Sequence, residues 1–116
     1  MTNIDYTVHK GFIRPTLPCV MIDFDGVASR DPTMFLEIAE KFFSIGLDYL
    51  VCTSRTASDV TNDEIFEAFN PSKVVFCEGE TKKRVAEELG INVAFWIDDT
   101  PEDIIDQIDI QKRFDC

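Results

Sequence analysis

Four short apolar runs, at residues 19–24, 49–53, 73–77 and 93–97, alternate along this chain with stretches carrying apolar residues at helical spacing. Short apolar runs bounded by turn formers read as buried strands, and apolar residues recurring every three to four positions read as one helix face. The helix-like stretches lie at 32–45, closed by Gly46, at 62–69, closed by Asn70-Pro71, and at 81–89, closed by Gly90. A last one is expected from Pro101 to about Ile110. Pro32 and Pro101 suit a helix's first turn, and Thr61-Asn62-Asp63-Glu64 has the pattern of a capping box. Phe35, Ile38, Ala39, Phe42 and Phe43 recur at helical spacing and are expected to face the core. Strands joined through helices must run parallel, with right-handed crossovers. The expectation is one α/β domain of three layers over residues 19–116, with a mainly parallel sheet and a polar lead-in at 1–18. In the lead-in, Thr7-Val8-His9-Lys10 can pair as an edge strand, and His9, the only histidine, reads as a surface residue.

A chain of 116 residues supports one core, not two. With 45% hydrophobic residues, ten of them Phe, it has the material to bury that core. Lys+Arg total 11 against 22 Asp+Glu, a formal net charge of -11. Such a field repels polyanions, so extended contact with nucleic acid or an acidic membrane is not expected. A small anion held by local cations and a metal remains compatible, and most of the acid reads as solubility. Cys19, Cys52 and Cys77 fall in strand-like runs, Cys116 ends the sequence, and no CxxC pair occurs. That spacing speaks against a zinc knuckle or a thioredoxin-type site and for buried free thiols in a reducing compartment. No stretch approaches the roughly 18 apolar residues of a membrane span, and the first residues lack a signal peptide's apolar core. The expectation is a soluble, cytoplasmic protein.

Parallel α/β folds bind ligands at the carboxyl ends of their strands, and here those ends carry the chemistry. The first strand runs into Asp23-Phe24-Asp25-Gly26-Val27. Side chains two apart on an extended chain point the same way. Two crowded carboxylates repel unless a cation, a shared proton or a phosphoryl group separates them. Gly26 stands where the backbone must turn sharply. The second strand ends in Thr53-Ser54-Arg55, a hydroxyl and a guanidinium able to donate to a phosphoryl oxygen. After the third strand, Lys82 opens a helix whose N-terminus favours anions. The fourth ends in Asp98-Asp99, hard oxygen ligands suited to Mg²⁺. Each element also has a plain reading: a polar turn, a common Thr-Ser-Arg turn, a solvated Lys82-Lys83-Arg84 face. Glu102 and Asp103 serve equally as partners of a helix dipole.

Taken in order, these elements resemble the motifs of the haloacid dehalogenase superfamily of phosphohydrolases, across residues 19–108. Asp23-Phe24-Asp25-Gly26-Val27 matches the first motif, Thr53 the second and Lys82 the third, with Lys83 an alternative; Asp98-Asp99 with Asp103 matches the fourth. The resemblance implies a Rossmann-like fold and Mg²⁺-dependent hydrolysis of a phosphate monoester through an aspartyl-phosphate. Asp23 would be the nucleophile and Asp25 the acid, then the base. Thr53 and Lys82 would hold the phosphoryl group, with Ser54 and Arg55 towards the substrate beyond it. Mg²⁺ would lie on Asp23, the backbone carbonyl of Asp25 and Asp99, with Asp98 or Asp103 assisting. No insertion large enough for a cap domain is present, as in capless members. The expected substrate is a small phosphorylated molecule, a nucleotide among the candidates, with a second copy of the chain able to complete the open site. Two other readings stand beside this one. A two-component receiver domain has its adjacent acids early and a lone aspartate on a middle strand, the reverse of the order here. A non-catalytic phosphate-binding or regulatory module of the same fold would retain every matched side chain.

Overall fold

The computed structural model describes residues 11–105. His9, the strand expected at 7–10, Cys116 and any helix beyond residue 105 lie outside the described residues. Four strands form one sheet: β1 (Cys19–Asp23), β2 (Asp48–Thr53), β3 (Val74–Phe76) and β4 (Val93–Ile97). Their order is β3-β2-β1-β4, with every pair parallel. Three α-helices connect them: α1 (Pro32–Phe43), α2 (Asp63–Phe66) and α3 (Lys82–Glu88).

Period-two alternation gives the sheet two apolar faces. Cys19 and Met21 of β1 join Leu50, Cys52 and Val75 against Val85 and Ala86 of α3 and Leu89 just beyond it. Val20 and Ile22 join Val51, Val74 and Phe76 against Ile65 and Phe69, with Phe35, Leu36 and Phe42 of α1 packed on that cluster. β1, central and covered on both faces, is buried at all five positions. Removing a Val, Ile or Met side chain from water contributes about 1.5–3 kcal/mol, so this strand anchors the fold.

Several boundaries differ from the sequence expectation. α1 stops at Phe43, where Ser44 caps it and Gly46 turns away at φ 85. Only Ala39 of α1 is fully buried, with Phe35, Leu36 and Phe42 packed against the core, while Phe43, expected there, ends the helix 58% exposed. α2 is a four-residue helix preceded by a 3-10 turn at Val60–Asn62. The capping box expected at Thr61–Glu64 does not form, because Arg55 takes both of its side chains. Asp59 instead caps the 3-10 turn by accepting from the Thr61 N–H. After β4 the chain makes a single 3-10 turn, Pro101–Asp103, in place of an α-helical start.

The expected free thiols are present: Cys19, Cys52 and Cys77 are buried and unpaired. Burial pushes the Cys19 thiol up to about 11 and the Cys77 thiol up to about 12, which keeps both protonated and inert. Among the described residues no helix is long and apolar enough to cross a membrane.

Register delivers the acids together. Ile22 pairs with Ile97, so Asp23 and Asp98 leave the sheet at the same level. A shift between Cys19 and Val20 sets this alignment, because Cys19 pairs with Val93 and Val20 with Phe95. On the other side Asp23 pairs with Cys52, which places Thr53 one residue further along the same edge.

Candidate active site

α3 begins where Thr81, with extended backbone, accepts a hydrogen bond from the Arg84 N–H. The first helical residue, Lys82, then runs beneath the sheet's carboxyl edge with 2% of its surface exposed. Its Nζ donates to Asp23 Oδ1 at 2.8 Å and to Asp98 Oδ2 at 2.6 Å. Lys83, the neighbour that sequence alone could not exclude, points elsewhere. Its side chain is half exposed and faces Glu87 one turn on, while its backbone N–H donates to the Ile104 carbonyl.

Asp23 is buried, Asp98 is intermediate and Asp99 is exposed, and one carboxylate oxygen from each lies within 4.8 Å of the others. Asp98 spends its second oxygen on the Thr100 N–H at 2.9 Å, and Asp99 Oδ1 accepts from the Thr100 hydroxyl at 3.1 Å. Gly26 completes the enclosure. At φ 81 its backbone passes so close that an added Cβ would stand 2.6 Å from Asp99 Oδ2. Three carboxylates against one ammonium leave two negative charges uncompensated, and hard oxygens in a tight cluster suit a small divalent cation. The trio therefore fits such an ion. Asp103 is not part of it; its N–H closes the following turn on the Thr100 carbonyl.

Burial pushes the Asp23 carboxyl up to about 6, with Lys82 opposing and Asp98 and Asp99 adding to the rise. Burial also acts to lower Lys82, but its bonds to Asp23 and Asp98 and their charges outweigh this and hold it above its ordinary range. The lysine stays charged, and the excess negative charge falls on Asp23. A cation can bind only as Asp23 gives up its proton. Affinity for Mg²⁺ or Mn²⁺ is thus expected to fall about tenfold per pH unit below about 6. Calorimetric titration between pH 5 and 8 measures this, and a flat profile would contradict it.

Asp25 parts company with Asp23. Its carboxylate is 52% exposed and turns to β2, where the Thr53 hydroxyl donates to Oδ2 at 3.2 Å. Arg55 donates from Nε to Oδ2 at 3.2 Å and from Nη2 to Oδ1 at 2.6 Å. The guanidinium also lies over the Phe24 ring, 5.3 Å from its centroid. Its remaining donors reach the Thr61 carbonyl and hydroxyl and the Glu64 carboxylate. Thr53 is fully buried, whereas Ser54 beside it is exposed. The strand ends thus bring Asp23, Lys82, Asp98 and Asp99 into one cluster, and Asp25, Thr53 and Arg55 into a second. Sequence reading missed Thr61 and Glu64 as members of the second cluster, because their spacing matched a helix cap.

A groove among the described residues lies away from both clusters. It has a volume of about 560 Å³ and is lined by β4 residues such as Phe95 and Trp96 together with Lys83, Ile91 and Ile105. Compared with protein-family models, curated proteins and solved structures, the chain matches none.

Proposed function

We propose that this chain is a small phosphohydrolase of the haloacid dehalogenase type, without a cap domain, acting on a phosphate monoester with Mg²⁺. One observation carries the proposal: a buried lysine bridges two aspartates from separate strand ends, with a third aspartate alongside. Only 8 residues, 24–31, connect β1 to α1, which supports an open site. A nucleotide is among the small monoesters such a site can take.

Mg²⁺ would be held by Asp23 and Asp99 with Asp98 beside them, and when bound it neutralises charge on the incoming and transferring phosphoryl group. An Asp23 oxygen attacks phosphorus in line. The bond from phosphorus to the leaving oxygen breaks, and Asp25 gives that oxygen a proton. Asp25 then takes a proton from water, whose oxygen attacks phosphorus and breaks the bond to Asp23, releasing phosphate. Lys82 keeps Asp23 aimed and offsets its neighbours, while Thr53 supplies a hydroxyl donor to the phosphoryl group.

Release of phosphate from p-nitrophenyl phosphate in Mg²⁺, abolished by excess chelator, is the expected result. One observation favours the non-catalytic alternative: Asp25 and the Thr53 hydroxyl are bound to each other. Absence of turnover with Mg²⁺ across nucleotides, sugar phosphates, phosphopeptides and 3′-phosphorylated oligonucleotides would establish that alternative.

A further inference from the structure

A guanidinium has five N–H donors, and Arg55 has committed all five. Two go to Asp25, two to Thr61 and one to Glu64. Both oxygens of Asp25 are covered in return, and the one hydrogen of the Thr53 hydroxyl is spent on Asp25 Oδ2. The groups a bound ester needs for its leaving side are therefore satisfied internally. The pairing is near the surface, with Asp25 at 52% and Glu64 at 54% exposed, so an anion from solvent can reach it. One cation faces two carboxylates there, which leaves the local balance negative and resists a ligand unless the ligand replaces one of them. A planar fork that holds a carboxylate through two parallel bonds holds a phosphate equally well.

We propose that Arg55 is a latch on Asp25, opened by a second anionic group on the leaving side of the substrate. This rests on the phosphohydrolase reading and narrows its substrate class to monoesters whose leaving group carries a further phosphate or carboxylate. Position assigns the second anion to Arg55. Lys82 is buried against Asp23, whereas Arg55 lies two residues beyond Thr53 and reaches out to α2 through Glu64. The incoming anion exchanges for Asp25 on Nε and Nη2. Asp25 and the Thr53 hydroxyl are then released together, the first to the leaving oxygen and the second to the phosphoryl group. An ester with an uncharged leaving group has nothing to exchange for Asp25 on Arg55 and is turned over more slowly.

The test compares a nucleoside 5′-monophosphate with the matching 3′,5′-bisphosphate. Wild-type kcat/KM should favour the bisphosphate about tenfold or more, the scale of a charge-assisted hydrogen bond. Arg55→Ala should erase that preference, losing kcat/KM on the bisphosphate while raising kcat on the monophosphate by freeing Asp25. Arg55→Lys keeps the charge without the fork and should lose most of the preference too, which separates the latch from a folding defect. A preference retained in both variants, or equal losses on both substrates, would overturn the latch. Calorimetry of the same two nucleotides on an Asp23→Asn background reads the anion site without turnover. Arg55-dependent preference for the bisphosphate there, with no wild-type turnover of either nucleotide, would refute the phosphohydrolase and keep the anion site. Turnover with no Arg55-dependent preference would do the opposite. Neither binding preference nor turnover would refute both.

Discussion

Asp23→Asn is expected to abolish turnover, a loss on the order of 10⁴-fold or more, as when a nucleophile that acts as part of a unit is removed. An amide oxygen cannot attack phosphorus in place of a carboxylate, and among the described residues the other carboxylate bound to Lys82 is Asp98. Asp98 is already oriented by two bonds, to Lys82 and to the Thr100 N–H. The fold should survive. Asn keeps an acceptor for Lys82, and Asp23 is a carboxyl that burial already disfavours in its charged form. Steady-state assays in saturating Mg²⁺, with circular dichroism of the variant, check both halves. Undiminished activity would end the nucleophile assignment.

The second large effect is on stability. Lys82→Met should destabilise the domain by about 3–5 kcal/mol at neutral pH, the cost of breaking a buried ion pair by removing one partner. Its Nζ joins Asp23 to Asp98, residues from two strands on either side of a covalent stretch of 75 positions, and both carboxylates would face each other without a cation. The sign of the pH dependence follows from Asp23. Its folded-state carboxyl titrates near 6, above the ordinary carboxyl value of 3.8. A raised carboxyl contributes stability below its unfolded pKa and loses it as pH rises through the folded one. Lys82 lowers that folded value, so its removal raises it further. The penalty in the variant should therefore grow from about pH 4 to beyond 6 and shrink on acidification. Lys83→Ala, at a half-exposed position with a long contact to Glu87, should stay within about 0.5 kcal/mol. Urea melts of the two variants at pH 5 and 7.5 measure the contrast. Equal, small effects would mean that the buried bridge does not stabilise the fold.

The candidate site was legible to different depths. The acids at the ends of β1 and β4 could be placed because each directly follows an apolar run whose end is a local event. Asp23 and Asp98 emerge level only through the pairing of Ile22 with Ile97, which no single strand encodes. Lys82 and Lys83 are indistinguishable in sequence, since both follow the same cap residue. They differ by about 100° around a helix axis, and the seating of α3 on the sheet sends one inward and the other to solvent. Phe43 failed for another reason: it lies on the apolar stripe by spacing, but it is the last residue of α1 and stays 58% exposed where the helix ends.

Local chemistry thus determined the strands, the parallel sheet and the set of polar groups at its carboxyl edge, because alternation and turn residues act over a few positions. Tertiary structure alone decided how those groups divide. Asp25 and Arg55 are 30 residues apart, and Arg55 and Glu64 are 9 apart. Thr61 and Glu64 have the sequence of a helix cap, yet a guanidinium with five donors beside them binds both. A charge-assisted bond is roughly twice as strong as a neutral one. The cap was therefore lost to Arg55, a few residues before it in the chain, whose guanidinium Asp25 fixes across the packing of β2 against β1.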